Sequence, residues 1–185
     1  MTRGCLQAFD DVVFDFDGTL AHLVVDWYAL RRAALEEFPQ ARRISASPAL
    51  GEIVALVSAE GGWPARRRLA DLLRSFEQPD GEVHSTPIDR SVRAARELSR
   101  FYVISNNLSS TVRLALTGME LDGHCGFVVG FDAVLRSKPA DDAFHALAKA
   151  MPLGRRVAYV GDRDSDRIFA EACGLAFLQV SELCE

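Results

Sequence analysis

Apolar residues gather along the chain in five short runs: Asp11–Phe16 (DVVFDF), Phe101–Ser105 (FYVIS), Phe127–Val129, Val157–Gly161 (VAYVG) and Leu175–Val180 (LAFLQV). The second, fourth and fifth are unbroken rather than alternating, the pattern of parallel strands covered on both faces. Between the runs, apolar positions recur at helical spacing. In Pro87–Arg100, Ile88, Val92, Ala95 and Leu98 fall on one stripe with arginines opposite. Ser109–Met119, Pro139–Ala150 and Asp164–Cys173 continue the alternation. Strand and helix in turn predict an α/β fold, a doubly wound, Rossmann-like parallel sheet with helices on both sides.

One interval breaks this rhythm. A strand–helix–strand unit takes roughly 30 residues, yet 84 positions separate Asp17 from Phe101. The excess reads as helical: Asp26–Phe38 opens on a capping Asp, Pro48–Ala59 is apolar on one side, and Pro64–Glu77 carries Leu69, Leu72, Leu73 and Phe76. Gly61-Gly62 and Pro79-Asp80-Gly81 punctuate these helices. The expected organisation is a core of residues 1–21 and 86–185 with a small helical cap, residues 22–85, inserted beyond the first strand. Trp27, Trp63 and Phe76 read as the core of that cap, and Arg66-Arg67-Arg68 as a solvated face, the alternative being contact with an anionic substrate group.

Composition narrows the class. The 185 residues are 49% hydrophobic and 25% charged, ordinary for a globular domain. A net charge of −5 argues against nucleic acid or an anionic membrane as partner. The first eleven residues hold no apolar segment ahead of their acids, so no signal peptide is expected, and no apolar run is long enough to span a bilayer. Cys5, Cys125, Cys173 and Cys184 form no CxxC pair and read as reduced thiols, which places the protein in the cytoplasm. A zinc site at His124-Cys125 lacks a second ligand pair.

The candidate chemistry lies at the ends of the apolar runs. In Asp15-Phe16-Asp17-Gly18-Thr19, two carboxylates two apart on an extended segment point the same way, and Gly18 permits a sharp turn after them. Ligands of open α/β sheets bind outside the carboxyl ends of the strands, where this pair falls. Ser105-Asn106-Asn107 supplies a hydroxyl and main-chain N–H groups; Lys138-Pro139 supplies a cation before a helix. Gly161-Asp162-Arg163-Asp164-Ser165-Asp166 is either a solvated loop or carboxylate ligands for a hard cation. Acids, a hydroxyl and a cation delivered by four strands to one edge suit phosphoryl chemistry, in which protein groups position and neutralise a dianion.

DFDGT, the strand-terminal Ser105, Lys138-Pro139 and GDRDSD together resemble, in order, the four motifs of the haloacid dehalogenase superfamily of phosphohydrolases. The helical insertion resembles the cap of its phosphoglycolate phosphatase and β-phosphoglucomutase-like branch. The resemblance implies a sheet with the first strand central, the fourth and fifth on one side and the second and third on the other. It also implies Mg²⁺ as cofactor and a small phosphorylated metabolite as substrate, with Asp15 as nucleophile and Asp17 as general acid lending its backbone carbonyl to the metal. Asp162 is then a direct metal ligand, with Asp166 behind it. Lys138 pairs Asp15 with the phosphate, and Thr19, Ser105 and Asn106 bind the phosphoryl group. The implied activity is a Mg²⁺-dependent phosphatase working through a phosphoaspartate, as monomer or homodimer. The alternatives are a phosphomutase and a non-catalytic phospho-accepting module. A dehalogenase would leave Asp17 and the metal-site acids without work. Arg163 stands where the family often has a small residue.

Overall fold

Backbone hydrogen bonding turns the five apolar runs into one sheet. The computed structural model describes residues 5–183; Cys184 and the first four residues lie outside that range. In chain order the elements are β1 (Asp11–Phe14), β2 (Ala21–Leu23), α1 (Trp27–Glu37), α2 (Leu50–Glu77) and β3 (Ser85–Pro87). There follow α3 (Asp89–Arg96), β4 (Phe101–Ile104), α4 (Ser109–Gly118), β5 (Cys125–Val129), α5 (Asp142–Ala150), β6 (Val157–Gly161), α6 (Asp164–Ala172) and β7 (Ala176–Gln179). The sheet order is β5-β4-β1-β6-β7, every pairing parallel, with β1 at the centre.

The period-2 alternation of strand side chains sorts the apolar residues between two faces. Val12 and Phe14 of β1, Phe101 and Val103 of β4 and Val160 of β6 pack with Val92 and Ala95 of α3 and Val112, Ala115 and Leu116 of α4. Val13, Tyr102, Ile104 and Tyr159 point the other way, onto Ala143 and Leu147 of α5 and Phe169 and Ala170 of α6. This explains the unbroken runs: a strand covered on both sides has no solvent face to mark with polar residues.

β2 and β3 form an antiparallel ribbon, with His22 opposite Thr86. Ala21-His22-Leu23 and Ser85-Thr86-Pro87 are too short to show a periodicity, so neither strand is visible in the sequence, and Pro87 belongs to β3 rather than to the helix predicted from it. The ribbon brings the two ends of the helical segment together, where Val24 N–H donates to the His84 carbonyl (2.9 Å). α1 starts where expected, the Asp26 side chain accepting from Ala29 N–H (2.8 Å). The predicted helices Pro48–Ala59 and Pro64–Glu77 run together as α2, broken at Gly62 (φ 56°, ψ −148°), a conformation in which a side chain is strained.

α1 and α2 share a cluster of their own: Leu30, Ala34 and Leu35 against Ile53, Val57 and Leu69. Leu108 and Phe131, from the loops after β4 and β5, complete it. The aromatic expectation is corrected for the tryptophans: Trp27 and Trp63 are 37% and 43% exposed, and Phe76 only flanks the cluster.

The arginine run divides. Arg67 is exposed and Arg68 pairs with Glu37 on the surface. Arg66 is 1% exposed, contrary to the solvated face expected. Its Nε and Nη2 donate to the Phe131 carbonyl (3.1 and 2.8 Å), Nη2 also to Ser137 Oγ (2.8 Å) and Nη1 to Ser58 Oγ (3.3 Å). Its guanidinium lies 3.3 Å from the Phe131 ring centroid. Burial lowers its pKa to about 10, against the pull of Asp132 and Asp142. Arg66 thus pins α2 to the loop that leads to Lys138. Replacing it by Ala takes the donor from a buried carbonyl and from two serine hydroxyls. Denaturant unfolding should show a loss of about 2–4 kcal/mol for Arg66→Ala and less than about 0.5 kcal/mol for Arg67→Ala; equal effects would remove Arg66 as the pin.

Candidate active site

β1 gives up its ladder at Asp15, whose N–H still donates to the Val160 carbonyl (2.8 Å), leaving the carboxylate at the carboxyl edge of the sheet. The turn that follows needs Gly18 twice over. Its φ is +88°, and a Cβ there would overlap the Asp162 carboxylate. Just ahead of the turn, Asp17 Oδ1 accepts from Leu23 N–H (2.9 Å) and Oδ2 from Arg163 Nη2 (3.3 Å). β2 and the loop after β6 therefore fix this side chain. Thr19 is fully buried, its hydroxyl has no hydrogen-bond partner, and it does not line the cavity described below.

The centre of the site is Lys138. Its side chain is 5% exposed and its ammonium meets three acceptors: Asp15 Oδ1 (2.7 Å), Asp166 Oδ1 (2.8 Å) and the Tyr159 hydroxyl (2.5 Å). Tyr159 in turn donates to the Ile104 carbonyl (3.1 Å), so its oxygen faces the lysine as an acceptor. All three N–H bonds of the ammonium are used. Burial alone would lower the Lys138 pKa; Asp15 and Asp166 outweigh it and hold the pKa above the ordinary lysine value. Asp15 is pushed up to about 6 by burial, with repulsion from Asp166 adding to it and Lys138 opposing. Tyr159 was not singled out in the sequence. Its one signal is a polar-tipped residue in the middle of the apolar run VAYVG.

Asp162 completes the acidic set. One carboxylate oxygen from each of Asp15, Asp162 and Asp166 lies within 4.8 Å of the others. Asp162 Oδ1 is buried without a hydrogen-bond partner, and burial raises the Asp162 pKa against the attraction of Arg163 (Nε 3.6 Å from Oδ2). Three carboxylates and one buried ammonium leave two formal negative charges, and one of the carboxylate oxygens, Asp162 Oδ1, has no hydrogen-bond partner. That donor set fits a small, hard divalent cation. Asp17 places its carboxylate with Leu23 and Arg163, outside this triad.

Ser105 and Asn106 follow β4, and the cavity wall includes both. Asn106 is exposed; its Oδ1 accepts from Lys138 N–H (3.0 Å) and its Nδ2 donates to the Lys138 carbonyl (3.3 Å), fastening the lysine's backbone to the β4 loop. Ser105 Oγ donates to Asn107 Oδ1 (2.9 Å) and accepts from Asn107 N–H (3.1 Å). A cavity of about 870 Å³ opens over these groups, with Asp15, Asp17, Ser105 and Lys138 on its floor and Val54 and Trp27 in the helical wall.

A haloacid dehalogenase-like hydrolase family model matches residues 10–174 of the chain. A phosphoglycolate phosphatase of Cereibacter sphaeroides (strain ATCC 17025) is 30% identical, covering 92% of this chain and 84% of that protein. Among solved structures, L-2-haloacid dehalogenase from Xanthobacter autotrophicus superimposes with a TM-score of 0.60 at 19% identity, covering 96% of this chain and 79% of that one. A subfamily IA hydrolase from Geobacter sulfurreducens gives 0.53 at 22% identity, with 92% and 86% covered. At these identities the structural matches speak to the fold.

Removing the ammonium tests the charge balance directly. In metal-free buffer at pH 7, Lys138→Ala should lose about 3–5 kcal/mol of unfolding free energy, because it strands two buried carboxylates. Stranded acids have folded pKa values above the unfolded ones, so the deficit should shrink as pH falls toward about 4, where the unfolded carboxylates also protonate. A deficit independent of pH would mean that Lys138 acts by packing.

Proposed function

The chain belongs to the haloacid dehalogenase-like hydrolase family and is a phosphatase; we propose that it is Mg²⁺-dependent and hydrolyses a small phosphorylated metabolite, phosphoglycolate-like or a sugar phosphate, through a phosphoaspartate. The observation that carries this reading is the Lys138 ammonium held between Asp15 and Asp166 beside Asp162. Asp15 is the nucleophile: its carboxylate oxygen bonds to phosphorus as the bond to the leaving oxygen breaks. Asp17 gives the leaving oxygen its proton. In the second half, water attacks the phosphoaspartate, Asp17 takes the water's proton, and Asp15 returns as carboxylate.

Mg²⁺ would be held by Asp15 and Asp162, the Asp17 carbonyl and, directly or through water, Asp166; it would cancel negative charge between nucleophile and phosphoryl oxygens. Lys138 keeps Asp15 oriented and offsets the same repulsion. Ser105 and Asn106 would position the phosphoryl group. Thr19 would act only by supporting the turn, through its N–H on the Phe16 carbonyl (3.1 Å) and its buried side chain rather than through its hydroxyl. Residues 22–85 form the cap over a core of residues 1–21 and 86–185, and the leaving group lies under α2. The protein works in the cytoplasm on this reading. There burial holds the Cys125 and Cys173 thiols near pKa 11, unreactive.

A panel of phosphorylated metabolites, assayed for phosphate release with and without Mg²⁺, tests the activity. Turnover should require the metal and stop with EDTA; full turnover in metal-free buffer would contradict the reading of the acid triad. Asp17→Asn should separate the two half-reactions. Alkyl phosphates need the Asp17 proton and should slow by about 10²–10⁴-fold. Aryl phosphates with a stable leaving anion should give a burst of one product per site, then stall. A steady slow rate without a burst on the aryl ester would remove Asp17 from the second step.

A further inference from the structure

The cavity over the acid triad has two unlike halves. Its floor carries the charged and polar groups at the carboxyl edge of the sheet. The wall above them is apolar: Trp27, Leu50, Val54 and Ala55 from the helical insertion, Leu135 and Pro139 from the loop after β5. Trp27 is 37% exposed, and Ala55 and Pro139 are exposed as well. Ser58 and Arg66 also border this wall, but both are buried and tied to the protein. Arg66 Nη1 donates to Ser58 Oγ (3.3 Å), and its Nε and Nη2 donate to the Phe131 carbonyl. The cavity's other two arginines are paired, Arg136 with Asp142 and Arg163 with Asp17. An alcohol held under α2 therefore meets hydrocarbon and an indole ring.

Size points the same way. A cavity of about 870 Å³ can enclose a ligand that carries a ring. A two-carbon leaving group would leave most of the apolar wall in water. Covering such surface is favourable in proportion to the area removed from water. Because wall and floor belong to one cavity, what covers the wall is the alcohol half of an ester whose phosphorus lies at Asp15.

We propose that the enzyme has a further substrate class: phosphate monoesters of alcohols with an apolar body about the size of an aromatic ring, seated against Trp27 and the first turns of α2. The chemistry is unchanged. Asp15 displaces the alcohol from phosphorus, Asp17 gives the alcohol oxygen its proton, and water releases phosphate from Asp15. The proposal rests on the phosphatase reading and adds a leaving-group subsite to it.

The test compares 2-phenylethyl phosphate with 2-hydroxyethyl phosphate on the full chain with Mg²⁺. Both release a primary alcohol, so the need for a proton is matched and the esters differ in ring against hydroxyl. kcat/KM should be about ten- to a hundredfold higher for the phenylethyl ester, with the gain in KM, because the ring is covered in ground and transition state alike. Trp27→Ala removes apolar wall and Ala55→Asp places a charge in it. Each should lower the ratio of the two kcat/KM values by about fivefold or more. The ratio cancels any effect common to both esters, loss of folded protein included. Equal kcat/KM for the two esters would overturn the subsite, as would variants that slow both alike. No turnover of the phenylethyl ester, with the hydroxyethyl ester or any member of the metabolite panel hydrolysed, overturns it and leaves the phosphatase reading standing. Should no ester release phosphate, both fall.

Discussion

The arrangement depends on one buried ammonium. Lys138 sits where three elements meet, reaching Asp15 after β1, Tyr159 within β6 and Asp166 in α6. Two carboxylates could not share that space without it: at about 4 Å and an effective dielectric near 20, like charges repel by about 4 kcal/mol. With the lysine in place, the group of Asp15, Asp162, Asp166 and Lys138 is by itself still two charges negative. Stability and chemistry therefore draw on the same imbalance. The acid cluster has the donor set for a cation, and on the proposed reading that cation lets the site receive a phosphoryl dianion.

The helical insertion is bound to this centre more tightly than a loosely hung cap would be. α2 sends Arg66 to the Phe131 carbonyl and to Ser137, next to Lys138, and Glu77 to the Asn107 amide, next to Ser105 and Asn106. One is a buried cation on neutral acceptors, the other a buried anion on neutral donors. Each touches a loop that presents a group to the cavity. The β2–β3 ribbon adds a third attachment, where the two ends of the insertion meet. Three such ties fix the insertion relative to the sheet edge, and Trp27 and Val54 with it.

The sheet was legible because both of its faces are covered, which leaves VAYVG and FYVIS as unbroken apolar runs with helical stripes between them. Its strand order came from the family resemblance, and the observed order agrees. The β2–β3 ribbon was not legible: its strands have three residues each, one holding a proline, and no period can show in that length. Among site groups, Asp15, Asp17, Ser105, Lys138, Asp162 and Asp166 stood out because each is a polar residue at the end of an apolar strand or in a polar loop. Arg66 and Glu77 were hidden for the opposite reason. Charged residues on a helix normally face water, and nothing local shows that these two turn inward. Tyr159 was hidden by its strand, where an aromatic ring reads as core.

The central claim is that Asp15 takes the phosphoryl group. Sodium borohydride reduces an acyl phosphate but not a free carboxylate, so quenching a turning-over mixture with it and mapping peptides by mass locates the acceptor. The account predicts conversion of Asp15 to homoserine, dependent on Mg²⁺ and on a phosphate ester. Homoserine at Asp17 with Asp15 unchanged would contradict it.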